Sequence, residues 1–168
     1  MLKHRLIPNI ILNDGNVVQS KNFIHTNIIG NAITAVDFFN SWASDEIIIL
    51  DVSRNKNKRK EFHRIINNIS KRCFVPLTIG GWISNTDEIS QFLKEGADKV
   101  SINTAAHKNP DLIGDASRMF GKSTIVVSIE AVKQSNGSYM AFTDNGRNYT
   151  GREVGSWAKE VEKNGAGE

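Results

Sequence analysis

Residues 96–102 read Gly96-Ala97-Asp98-Lys99-Val100-Ser101-Ile102. Gly96 ends a helical segment, a place that favours a residue free to turn left-handed. A short apolar strand follows at once. Similar starts stand at Ser44-Asp45-Glu46-Ile47 and at Gly165-Ala166-Gly167-Glu168. A helix end, a charged residue and a buried strand, repeated along a chain, point to βαβ units and a parallel sheet. The third copy closes the sequence, so the chain is expected to stop while entering a sixth strand.

Working outward, strand-length apolar runs alternate with amphipathic segments of helix length. Strands are expected at Leu6–Leu12, Glu46–Val52, Val75–Ile79, Lys99–Ile102 and Thr124–Ile129. Helices are expected at Asn31–Trp42, Lys58–Ser70, Thr86–Lys94, Pro110–Phe120 and Arg152–Lys163. Ile47-Ile48-Ile49-Leu50 is continuous apolar sequence, as in a strand buried on both faces. Asn13-Asp14-Gly15-Asn16 marks a tight turn before Val17-Val18, and Asn136-Gly137 marks a hairpin turn that brings Tyr139–Phe142 back against the preceding segment. A complete (β/α)8 barrel needs about 250 residues, and this chain has 168. The expectation is an α/β chain forming one domain over residues 1–168. It would be the N-terminal portion of a (β/α)8, or TIM, barrel, with five β/α units and the start of strand 6.

Composition narrows the function. The single Cys73 excludes a disulfide framework and a Cys-based zinc cluster. No metal site and no cofactor is expected. No apolar run nears the ~20 residues of a membrane span. The start Met1-Leu2-Lys3-His4-Arg5 is basic, but Pro8, Asn9, Asn13 and Asp14 interrupt the apolar stretch behind it, so no signal peptide is read and a cytoplasmic location is expected. The net charge of +3 is too mild to indicate nucleic acid. The basic run Arg54–Arg64 reads as a solvated helix start or a phosphate-facing loop. His4 and His25 read as surface residues.

Several of these residues together carry a resemblance. They are Arg5, Asp14-Gly15-Asn16-Val17-Val18, Leu50-Asp51, Gly80-Gly81, the eleven residues Gly96–Ala106, and Gly165-Ala166-Gly167-Glu168. With nearly unbroken spacing over the whole chain, they resemble the HisF family, the cyclase subunits of imidazole glycerol phosphate synthase. The resemblance implies a (β/α)8 barrel whose bottom face docks a glutaminase subunit. Ammonia crosses the barrel and meets a ribulosyl-phosphate carboxamide at the top, where an imidazole ring is closed for histidine biosynthesis.

The resemblance also assigns residues. The family uses aspartates at the ends of strands 1 and 5 as acid and base, a task that needs one ionised and one protonated carboxyl. Here those positions hold Ile11 and Glu130. Isoleucine moves no proton, so Glu130 is the remaining catalytic candidate; its other reading is a strand-end hydrogen-bonding residue. A loop lysine of the family is Gln19 here, with Lys21 close by. Asn9 is polar enough to orient a substrate. A phosphate or substrate site is implied at Gly80, Gly81, Asn103 and Thr104, with Trp82 where the family has a third glycine. Asp51 either accepts hydrogen bonds from a ribose or caps the next helix. Trp82 either crowds a phosphate, stacks on a base or sugar, or packs on a neighbouring loop. Arg5, Glu46, Lys99 and Glu168 match the family's charged ammonia gate; the alternative is a structural plug.

A retained gate beside a lost catalytic position leads to the first expectation: a divergent relative that takes ammonia from a glutaminase. Its client would be a phosphorylated small molecule or a nucleotide-linked sugar amidinated for surface polysaccharide. A true histidine-pathway cyclase is the second reading. A non-catalytic activator of a glutaminase is the third. None involves nucleic acid or a membrane.

Overall fold

The computed structural model describes residues 4–21 and 25–168, without the side chains of Lys21, His25 and Lys56. Met1, Leu2 and Lys3 of the basic start, and the side chains of Lys21 and His25, therefore lie outside the described residues. The chain forms two compact units. One takes residues 1–82 and 90–100, the other residues 83–89 and 101–168.

The first unit is built on a mixed sheet, parallel in its centre and antiparallel toward one edge. Its elements are β1 (Asn9–Asn13), β2 (Asn16–Lys21), β3 (His25–Asn31), α1 (Ala32–Ser41), β4 (Ile47–Asp51), α2 (Arg59–Ser70) and β5 (Leu77–Gly80). Their hydrogen-bonded order is β3-β2-β1-β4-β5. β1 runs parallel to β4 with Ile10 opposite Ile49, and β4 runs parallel to β5 with Ile49 opposite Ile79. Ile47, Ile49, Leu77 and Ile79 are fully buried, as strands covered on both faces require. Phe62, Ile66 and Ile69 are the buried face of α2, and Ile65 beside them is half-buried.

α3 (Thr86–Lys94) and β6 (Lys99–Ile102) each contribute residues to both units. The second unit adds α4 (Thr104–Lys108), α5 (Asp111–Phe120), β7 (Ile125–Val127), β8 (Glu130–Lys133), β9 (Tyr139–Thr143), β10 (Asn148–Glu153) and α6 (Val154–Asn164). β8, β9 and β10 form a separate antiparallel sheet in the order β10-β9-β8. The backbone after α6 runs beside β7: Gly167 N–H donates to the Ile125 carbonyl at 2.9 Å, and Val127 N–H to the Glu168 carbonyl at 2.9 Å. The succession is that of the first five β/α units of a (β/α)8 barrel, with a β-hairpin inserted after β1 and a small sheet after β7.

Several boundaries differ from the sequence expectation. The first strand begins at Asn9 rather than Leu6. Pro8 has no N–H to give a ladder, and Leu6 is 67% exposed. Asn31 is the cap of α1 rather than its first residue; its Oδ1 accepts from Thr34 N–H at 2.9 Å. The last helix begins at Val154 because Arg152 and Glu153 end β10. β3, β10 and α4 were not foreseen. The tight turn expected at Asp14-Gly15 joins β1 to β2 as a hairpin, and both residues have positive φ, 48° and 82°, as the favoured two-residue turn demands.

Glu153 caps α6. Gly155 N–H and Ser156 N–H donate to its carboxylate at 2.9 and 2.7 Å, and these bonds hold its carboxyl below the ordinary glutamate value, Gly155 contributing most. The stabilisation is therefore present above the ordinary value and lost as pH falls through the lowered one. Glu153→Ala is expected to lower Tm at neutral pH and to converge with the unchanged protein in acid, as thermal unfolding followed by circular dichroism at a series of pH values will show.

Candidate functional site

Three carboxylates define the sites the strands carry. The first, Asp51, ends β4 and is buried. One oxygen accepts from Ser53 N–H at 3.0 Å and also from the Ser53 hydroxyl. The other accepts from the Trp82 indole N–H at 3.0 Å. Ser53 Oγ in turn accepts from Asp14 N–H at 2.7 Å, which ties the β1–β2 turn to the end of β4. Asp51 therefore does not cap α2, whose N-cap Lys58 has no side-chain cap bond. Gly80 is the buried last residue of β5. Gly81 has φ +115°, and a Cβ there would sit 2.5 Å from the Asp51 carbonyl oxygen. Only glycine allows that approach. Trp82 follows with φ 62°.

The second, Glu130, opens β8, three positions beyond the last residue of β7, where the sequence reading had the end of a strand. Asn103 Nδ2 donates to its Oε1 at 2.9 Å, and Asn145 N–H donates to the same oxygen at 3.3 Å. Gly146 N–H donates to Oε2 at 2.5 Å. Asp144, Asn145 and Gly146 all have positive φ, a turn whose successive N–H groups converge on an anion. Asn103 stands just before α4 and Thr104 is its first residue. These two belong to the second unit, whereas Gly80, Gly81 and Trp82 belong to the first.

The third, Glu46, stands before β4 and is 2% exposed. Its Oε2 meets Arg5 Nη1 at 3.0 Å and Lys99 Nζ at 2.9 Å. Its Oε1 accepts from the Thr78 hydroxyl at 2.6 Å. Arg5 is 47% exposed and Lys99 15% exposed. Three of the four expected gate residues thus share the N-terminal end of the first unit's strands. Glu168 lies in the second unit, its backbone beside β7.

The remaining candidates fall elsewhere. Ile11 sits in β1 opposite Leu50, half-buried, on the face shared with Asn9 and Asn13. Asn9 begins β1, two residues before Ile11, so it stands toward the opposite strand end from Asp51. Gln19 is exposed in β2, paired with Asn27, rather than in an irregular loop. His4 is exposed. Within the basic run, Lys58 pairs with Glu61 at 2.8 Å along a partly exposed helix start.

Sequence reasoning missed Thr78, Ser53 and the Asn145-Gly146 turn. Thr78 pairs in register with Ile48, and only that register puts its hydroxyl beside Glu46. Asn145-Gly146 is itself a turn signal of the kind used elsewhere.

A buried carboxylate with two cations and one hydroxyl is costly to dismantle, since each survivor is left desolvated. Glu46→Ala is expected to destabilise by about 3 kcal/mol or more. Thr78→Val, which removes one donor to a charged acceptor, is expected to cost about 2 kcal/mol. Urea unfolding of both variants checks the order; equal costs, or none, would contradict this account of the cluster.

Residues 5–168 match the histidine biosynthesis protein family. The chain is 39% identical over 168 residues to imidazole glycerol phosphate synthase subunit HisF of Bacillus cereus. It is 38% identical over 169 residues to the subunit HisF of Staphylococcus carnosus, and 39% over 169 residues to that of Staphylococcus saprophyticus. Each match covers 100% of this chain, but only 67%, 66% and 67% of the three relatives in turn. The chain thus spans about two thirds of their length. With the β/α succession in place and the match running from Arg5 to the last residue, the chain belongs to the histidine biosynthesis protein family.

Proposed function

We propose that this chain is part of an ammonia-handling subunit that works with a glutaminase and does not close an imidazole ring. The observation that carries the reading is the commitment of Glu130. Its two oxygens take three N–H donors, two of them backbone groups of one turn. A carboxylate so engaged is tied to the backbone of that turn rather than presented to a substrate. The partner position, Ile11, has no proton to move at all. Because the family's chemistry needs two groups in opposite protonation states, neither half of the pair is present in working form.

The gate reading rests on the other end of the strands. Glu46, Lys99, Arg5 and Thr78 form a connected set of donors and acceptors. Ile48 and Leu50 alternate above Glu46 along β4, and Ile11 pairs with Leu50. A polar cluster leading onto an apolar strip suits passage of a small neutral molecule better than that of an ion. The client that fits this reading is a nucleotide-linked sugar receiving an amidine nitrogen for surface polysaccharide. The second reading, a true cyclase, has in its favour only that Glu130 still supplies a carboxylate just beyond β7.

Ammonia-dependent turnover of the ribulosyl-phosphate carboxamide by the whole protein separates the two. No imidazole product above background is expected, with the fold intact and a glutaminase bound. Product formed at a rate well above background, and abolished by Glu130→Gln, would establish the cyclase reading instead.

A further inference from the structure

Trp82 is held differently from the other two tryptophans. Trp42 lies against Phe38, with ring centroids 5.0 Å apart and planes 33° from parallel. Trp157 carries the Arg152 guanidinium over its face at 4.3 Å and His107 at its edge at 6.2 Å. Among the described residues, no ring or guanidinium stacks on Trp82. Its polar atom is already engaged, since Nε1 donates to Asp51. The residue is part-exposed.

Its backbone is also costly. A φ of +62° is rare for a bulky residue, and such a conformation persists only where its surroundings enforce it. Here they do. Gly81 lets the end of β5 come against the Asp51 carbonyl, and that approach brings the indole N–H within reach of the Asp51 carboxylate. Asp51 is itself fixed by Ser53, and Ser53 by Asp14. The ring is thus anchored at one edge, with no partner ring on its faces, at the C-terminal end of a parallel strand. That is the end at which barrels of this kind bind their substrates.

The anchor sets the chemistry. A carboxylate accepting from the indole N–H pushes electron density into the ring, so its face favours an electron-poor partner. The same bond already engages the Asp51 oxygen that faces the ring. A bare phosphate gains nothing from an indole face beside a carboxylate.

We propose that Trp82 is a specificity-determining residue: a stacking platform, fixed by Asp51, that makes this end of the sheet select a ligand with a flat, electron-poor ring face over a bare phosphate. A heterocyclic base and the polarised C–H face of a sugar share that chemistry. The proposal goes beyond the ammonia-handling reading and does not depend on it, because it concerns binding rather than turnover.

The test is a titration of the whole protein with uridine, with methyl N-acetyl-β-glucosaminide and with inorganic phosphate, followed by NMR. Trp82→Gly relieves the left-handed backbone, which offsets the loss of the donor to Asp51, and Trp82→Phe keeps a ring without the anchoring N–H. The unchanged protein is expected to bind one ring probe more tightly than phosphate. Trp82→Gly is expected to weaken that probe about tenfold or more, and Trp82→Phe less. Preference for uridine identifies a base as the source; preference for the glucosaminide identifies a sugar. Equal affinity of the unchanged and Trp82→Gly proteins for the ring probes, or binding of neither probe more tightly than phosphate, would overturn the proposal.

Discussion

A carboxylate taken out of water must be given donors, and that constraint organises three places in this molecule. Glu46 is supplied by Thr78, Lys99 and Arg5. Asp51 is supplied by Ser53 and Trp82. Glu130 is supplied by Asn103 and two turn amides. In each case donors arrive from segments far apart in the chain, so each carboxylate is also a tether. Glu46 joins β4 to β5 and β6. Asp51 joins the ends of β4 and β5 to the β1–β2 turn. Glu130 joins the segment before α4 to the turn between β9 and β10.

The three tethers differ in what they leave open. At Glu46 two of the three donors are charged, and of these Arg5 is the more exposed. Around Asp51 one donor, Ser53, is local and the other, Trp82, is 31 positions away, and what remains accessible is the part-exposed ring. Glu130 has turn amides for donors, and what its oxygens hold is backbone. Family resemblance alone would make Asp51 and Glu130 substrate-facing groups. Their partners give each of them a structural duty first.

The core was legible because its signals are local. Ile47-Ile48-Ile49-Leu50 is a buried parallel strand on composition alone, and Thr86–Lys94 carries its own start and stop. Asn136-Gly137 set up β8 and β9 correctly. Failures came where pairing decides. His25–Asn31 becomes a strand only because β2 is there to pair with it, and Asn148–Glu153 only because β9 is. Nothing in Leu6 or Ile7 announces that Pro8 will hold the strand back to Asn9. The site was half legible for the same reason. Glu46, Lys99 and Arg5 could be grouped by their place at strand starts, whereas Trp82 bonding to Asp51, 31 positions away, depends on strand register and on a backbone turn that sequence does not disclose.

The central claim is that Glu130 serves the fold of its turn rather than a proton in transit. Hydrogen exchange at the amides of Asn145 and Gly146 tests it directly, because an amide bonded to a fixed carboxylate exchanges only when that bond opens. The account predicts slow exchange at both amides in the unchanged protein and fast exchange in Glu130→Ala, with β9 amides little altered. Equally fast exchange at Asn145 and Gly146 in both proteins would contradict it and return Glu130 to the pool of free catalytic groups.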